Sequence, residues 1–148
     1  MRPACVFDGG LPPAGVRLSV WEKAPLSATI PVMPTVLVVD DHAGFRTRAR
    51  RLLEAEGYDV VAEASDGAGA VAEAGRLHPD IVLLDVQLPD LDGFDVAARI
   101  TGGEDAPMVL LTSSRDWSDS PDLIARSGAR GFVRKDQLSG EALGALTG

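Results

Sequence analysis

At 148 residues, with 45% hydrophobic and 24% charged side chains, the chain has the length and composition of one ordinary globular domain with a real core. Its net charge of −8 and pI near 4.6 argue against non-specific binding to nucleic acid or to an anionic membrane surface. Cys5 is the only cysteine, so no intramolecular disulfide can form, and no apolar stretch reaches the roughly 18 residues that span a bilayer. No basic segment followed by an apolar run suggests a signal peptide, and the default expectation is a cytoplasmic protein.

Residues 1–34 hold six of the ten prolines and no sustained period beyond a short candidate strand at Val16–Trp21. They read as a flexible or loosely docked N-terminal extension, with the folded domain at 35–148. Met33, immediately before the first core strand, is a candidate natural start.

From Thr35 onward, strand and helix patterns alternate. Val36–Val39 is an unbroken apolar run ending on Asp40-Asp41. Residues 43–56 place Phe45, Ala49, Leu52 and Leu53 at helical spacing and stop at Gly57. A strand is predicted over Tyr58–Ala62. Ser65-Asp66 then offers an N-cap for a helix to about Leu77, with Pro79 beyond it. Residues 80–84 form a strand whose apolar run Ile81–Leu84 ends on Asp85, followed by a loop rich in Pro and Asp and a helix over 93–100. Strand 108–111 runs into Thr112, a helix over 119–127 ends at Gly128, strand 130–134 runs into Lys135, and a short helix covers 139–146.

The pattern is (βα)5. Continuous β-branched runs belong to strands buried on both faces, hence to a parallel sheet, and right-handed crossovers make it doubly wound with helices on both sides. Five such strands commonly take the order 2-1-3-4-5, which brings the carboxyl ends of strands 1 and 3 to the switch point where open α/β sheets bind their ligands. Asp40, Asp41 and Asp85 meet there by topology alone, with Thr112 and Lys135 on the next strands. One Asp after a strand can simply cap a helix; two beside a third suggest a hard-cation site suited to Mg²⁺. Clustered carboxylates resist joint ionisation without a cation, so a bound cation would also leave Asp85 free to act as an anionic nucleophile.

Two other motifs compete. Gly67-Ala68-Gly69-Ala70-Val71-Ala72 fits the G-x-G-x-x-A dinucleotide pattern, although Asp66 beside it would repel a pyrophosphate. Asp90-Leu91-Asp92-Gly93 looks calcium-like but lacks the glycine and glutamate spacing of an EF-hand loop. His42 and His78 read as structural or exposed rather than as metal ligands.

The segments VLVVDDH (36–42), DIVLLDVQLPDLDGF (80–94), MVLLTSS (108–114) and GARGFVRK (128–135) resemble, in order and spacing, the receiver domain of two-component response regulators. The VDDH start, and a Lys135 not followed by proline, look most like LuxR/NarL-class receivers. The resemblance implies a flavodoxin/CheY-like fold and a phosphorylatable signalling switch in a phosphorelay, not an enzyme acting on other substrates. In it, Asp85 would be the phosphoacceptor. Asp41 and Asp85 would bind Mg²⁺ together with the backbone carbonyl of Gln87, and Asp40 would act through water. Thr112 and Lys135 would hold phosphoryl oxygens, and residues 87 and 114 would tune hydrolysis.

Thr112 and the aromatic on strand 5, here Phe132 where tyrosine is common, would form the switch. The phosphodonor would be a histidine kinase or a phosphotransfer protein. The output would go to a protein partner or to a following output domain, with no direct nucleic-acid or membrane contact. A phosphorylation-dependent dimer through helix 4, strand 5 and helix 5 is a further implied possibility. That face includes Trp117, Asp119, Arg126, Arg130 and Arg134. The last helix carries Gly140 and Gly144 and is expected to be the least stable element. The readings from other classes are a small dinucleotide-binding α/β protein using Gly67–Ala72, and a receiver-like scaffold that is never phosphorylated.

Overall fold

The computed structural model describes residues 33–117 and 119–147, so the expectations for residues 1–32 lie outside the described residues. Five strands alternate with five helices. They are β1 (Thr35–Val39), α1 (Ala43–Ala55), β2 (Asp59–Ala64), α2 (Gly67–Leu77), β3 (Ile81–Asp85), α3 (Gly93–Thr101), β4 (Met108–Ser113), α4 (Pro121–Arg126), β5 (Gly131–Arg134) and α5 (Gly140–Thr147). A short 3₁₀ turn (Lys135–Gln137) follows β5. All pairings are parallel and the sheet order is β2-β1-β3-β4-β5, the doubly wound order expected from the chain pattern.

The three central strands are apolar on both faces because both faces are covered. Alternate side chains go to opposite sides. Leu37, Val39, Val82, Leu84, Val109 and Leu111 join the core under α2 and α3, with Val96, Ala97 and Ile100 from α3. Val36, Val38, Ile81, Leu83 and Leu110 join the core under α1 and α5, with Ala49 and Leu53 from α1 and Leu143 from α5. Leu143 is fully buried, so α5 is anchored despite its two glycines, and Ser139 Oγ caps it by accepting from Ala142 N at 3.0 Å.

β2 extends two residues past its expected end. Its register against β1 skips one residue between Val36 and Leu37, after which Val38 pairs with Glu63 and Val39 with Ala64. β2 is an edge strand, and there Arg46 Nε (3.1 Å) and Arg50 Nε (2.7 Å) of α1 bond the Glu63 carboxylate. Arg50 lowers the Glu63 pKa chiefly through this hydrogen bond, against the opposing effect of burial.

α4 is shorter than the 119–127 expected, starting at Pro121, whose fixed φ suits the first helical turn. It buries no residue of its own. Its C-terminal end is pinned where Thr101 Oγ1 donates to the carbonyls of Ala97 (2.8 Å) and Ser127 (3.1 Å). Gly128 turns the chain at φ +80°, a conformation that favours glycine, and a Cβ there would strike Thr101.

Candidate functional site at the carboxyl edge of the sheet

The strand ends place five of the expected residues on one edge. Asp40 follows β1, Asp85 closes β3, and Thr112 lies opposite Asp85 in the β3–β4 register. Lys135 follows β5 directly. Asp40, Asp85 and Thr112 are buried, whereas Asp41 is partly exposed.

Lys135 ties the edge together. Its Nζ lies 2.6 Å from Asp40 Oδ2 and 3.2 Å from Asp85 Oδ2. The contact to Asp85 is a hydrogen bond. The shorter approach, to Asp40, is an ion pair with a fully buried carboxylate. The ammonium also sits 4.9 Å from the centre of the Phe45 ring, and Arg48 Nη2 donates to the Lys135 carbonyl at 3.0 Å. Both contacts come from α1, so the first helix fixes the position of a lysine nearly ninety residues later (135 − 48 = 87). Burial pulls the Lys135 pKa down, but Asp40 and Asp85 outweigh it and the pKa is raised.

Asp85 is in the opposite situation. Burial pushes its pKa up, and the nearby Asp40 charge adds to this. The Gln87 N–H, donating to Oδ1 at 3.1 Å, and Lys135 only partly offset them. A carboxylate held this way gains from any further positive charge. Thr112 Oγ1 is buried with no hydrogen-bond partner, which is costly unless something else occupies that position in a working state.

Asp40, Asp41, Asp85 and His42 each present one ligand atom, all within 4.8 Å of one another. Such a group of carboxylates could hold a divalent cation. Gln87 lies beside the cluster through its N–H bond to Asp85; its side chain is exposed. Spacing alone did not reveal His42 as a member. Its Nδ1 lies 3.1 Å from Asp40 Oδ1 and 3.0 Å from Asp41 Oδ1. Its position directly after an Asp pair was the available signal, but sequence does not say which way the ring turns.

The glycine-rich competitor is already occupied. Asp66 accepts from Gly69 N at 2.7 Å, and Asp90 from the β3–α3 loop accepts from Gly67 N (2.7 Å) and Ala68 N (3.0 Å). The amides a pyrophosphate would use are therefore bonded to carboxylates of the chain itself. Those two amides also pull the Asp90 pKa down. The Asp90–Gly93 segment is consequently a strut between a loop and α2 rather than a calcium loop.

On the far side of the sheet edge, Phe132 is half-buried and lines a groove of about 320 Å³ with Pro121, Ile124, Ala125, Ala129, Arg130 and Gly131. Trp117 packs edge-to-face on Phe94 of α3, with ring centres 5.3 Å apart, under the Arg115 guanidinium. It is therefore partly covered, unlike the exposed Asp119, Arg126 and Arg130.

A family profile described as the response regulator receiver domain matches residues 36–146. The chain belongs to the response regulator receiver domain family. The receiver is similar to a "Putative transcriptional regulator" of Pseudomonas aeruginosa, 37% identical over 112 residues, covering 75% of this chain and 54% of that one. It is also similar to the "Transcriptional regulatory protein PdtaR" of Mycobacterium tuberculosis, 45% identical over 104 residues, with 68% and 48% covered. Among solved structures, it resembles the signal receiver domain of the putative response regulator NarL from Mycobacterium tuberculosis. That match has TM-score 0.71 and 35% identity, and covers 80% of this chain and 99% of that one. The chain spans about half the length of the curated relatives it matches. Among the described residues, no helix is long and apolar enough to cross a membrane.

Proposed function

We propose that this receiver is a phosphorylatable switch in which Asp85 accepts a phosphoryl group from a phosphohistidine on a histidine kinase or phosphotransfer protein. The observation that carries the reading is the edge itself: a buried carboxylate whose pKa is raised, a lysine bonded to it, and a buried, partnerless Thr112 hydroxyl beside it in register.

One Asp85 oxygen attacks phosphorus while the bond from phosphorus to the imidazole nitrogen breaks and its electron pair returns to the ring. The product is an aspartyl phosphate. Lys135 neutralises charge on one phosphoryl oxygen, and the Thr112 hydroxyl donates to another, acquiring the partner it lacks. Positioning and electrostatics do most of the work in such a transfer. Asp41, Asp85 and the Gln87 carbonyl would hold Mg²⁺, with Asp40 acting through water. When bound, that ion supplies positive charge that lowers the repulsion between incoming phosphate and the acidic cluster.

Recruitment of Thr112 shifts β4 and the loop after it, and Phe132 follows by rotating further into the groove under α4. A phenyl ring has no hydroxyl to hold it, so burial alone biases its position. The response is a population shift between two arrangements. The altered α4–β5–α5 face, with Asp119, Arg126, Arg130 and Arg134, would contact a protein partner, a following output domain or a second copy of the receiver.

Incubation with acetyl phosphate and Mg²⁺, read by intact mass, is expected to give one phosphate adduct that is lost in Asp85→Ala. No adduct from acetyl phosphate or from any kinase would leave the chain a non-phosphorylated scaffold and overturn the proposal. Lys135→Ala is expected to keep the adduct but blunt the conformational response; an unchanged response would remove Lys135 from its role.

A further inference from the structure

Lys135 has to be aimed as well as charged. Its ammonium is a compact point charge on a flexible four-carbon stem. A cavity of about 510 Å³ opens beside it, lined by His42, Phe45, Arg48, Ser114, Lys135 and Asp136. Both carboxylates that hold the ammonium, those of Asp40 and Asp85, also belong to the cluster that could take a cation. Phe45 is the one apolar side chain in that lining, and it takes no part in the cluster. Lys135 Nζ lies over its ring, 4.9 Å from the centre, and the Arg48 guanidinium lies over the same ring at 5.3 Å. Arg48 also donates to the Lys135 carbonyl at 3.0 Å, so α1 holds the lysine at its backbone and at its charged tip. The Phe45 ring packs against the core under α1 as well, a task that a leucine could equally serve. What leucine lacks is the aromatic face.

We infer that Phe45 is a positioning residue for phosphoryl transfer: its ring keeps the Lys135 ammonium at the sheet edge while the lysine exchanges the Asp85 carboxylate for a phosphoryl oxygen. This role rests on the reading above that Asp85 accepts a phosphoryl group. A hydrogen bond is directional, so the bond from Lys135 to Asp85 is lost when a phosphoryl oxygen takes its place. The attraction between an ammonium and a ring face is electrostatic and acts across the whole face. The ammonium can therefore turn from one acceptor to the other without losing the ring. The ring also keeps water from that side of the charge, which strengthens its pull on a phosphoryl oxygen.

Lys23 and Lys135 are the only two lysines, so ¹³C-lysine labelling of the full chain gives Lys135 and one internal reference. The Phe45 ring current is expected to displace the Lys135 ε-methylene resonances upfield. Phe45→Leu should abolish that displacement and Phe45→Tyr preserve it, with Lys23 unmoved by either. In intact-mass time courses with acetyl phosphate and Mg²⁺, Phe45→Leu is expected to slow adduct formation by about three- to tenfold, and Phe45→Tyr to restore the rate. In a Lys135→Ala background, Phe45→Leu should change the rate by less than about twofold. A general loss of packing would instead slow both backgrounds alike. Lys135 resonances indifferent to Phe45→Leu, equal slowing with and without Lys135, or no slowing at all would overturn the inference and leave Phe45 a core residue. If the parent chain forms the adduct and any of these results follows, only this inference fails. If the parent forms no adduct, the proposed function fails and takes the transfer role of Phe45 with it.

Discussion

Helices α3 and α4 lie on the same face of the sheet and are attached to it very differently. α3 buries Gly93, Val96, Ala97 and Ile100, and its first glycine is pressed against the backbone of Asp85 and Val86. α4 buries nothing, exposes Leu123, leaves a groove of about 320 Å³ over Phe132, and is pinned mainly at its C-terminal end through Thr101 and Ser127. Asp85, the proposed acceptor, thus closes a strand against which α3 is tightly seated, and the loosely held α4 follows the next strand, β4. Local stability in proteins is uneven in this way, and elements that move are drawn from the weakly held end.

The contrast can be broken most severely at Gly93. A Cβ there would collide with the Asp85 carbonyl and the Val86 backbone, neither of which can step aside. Gly93→Ala is expected to cost about 3 kcal/mol in urea denaturation, near the upper end for overpacking, whereas Gly103→Ala, which meets open space, should cost almost nothing. An equal cost at both positions would show that α3 is not seated as described.

Next in size is the pair Ile100→Ala and Ile124→Ala. Both isoleucines touch the same core, but only Ile100 is buried in it. The first should lose about 2–3 kcal/mol and the second under about 1 kcal/mol. Comparable losses would make α4 as firmly held as α3.

The smallest effect is at the opposite edge of the sheet, where Glu63 joins β2 to α1. The Glu63 pKa is lowered in the folded state, so its contribution is present above the unfolded value and disappears as pH falls through the folded one. Glu63→Gln is therefore expected to cost about 0.5–1 kcal/mol at pH 7 and to match the parent in strong acid. A cost that persists unchanged at pH 2 would mean that packing, not charge, holds that edge.

These differences follow what could be read from the chain. The central strands were legible because burial on both faces leaves only apolar residues, and the strand order then placed Asp40, Asp41 and Asp85 together before any contact was known. The last two residues of β2 were not legible. Glu63 looks like a strand terminator until Arg46 and Arg50 arrive from α1 to satisfy it. The role of Asp90 was hidden for the same reason: its carboxylate caps a helix twenty-three residues earlier (90 − 67 = 23), and a loop rich in Pro and Asp carries no sign of that. The turn of the His42 ring and the lack of a hydrogen-bond partner for Thr112 Oγ1 are matters of orientation, which periodicity does not encode. The shortening of α4 was partly visible in Pro121, which marks a first helical turn, yet its lack of buried residues emerged only from the packing.

The most direct test of the account is hydrogen exchange on the receiver before and after treatment with acetyl phosphate and Mg²⁺, with Asp85→Ala as the control. The expected result is a change in protection confined to the loop after β4, α4 and β5, with α3 and the central strands unchanged and no response in the control. A phosphate adduct that alters α3 and α4 alike, or leaves both untouched, would contradict the claim that a rigid acceptor drives a loosely held neighbour.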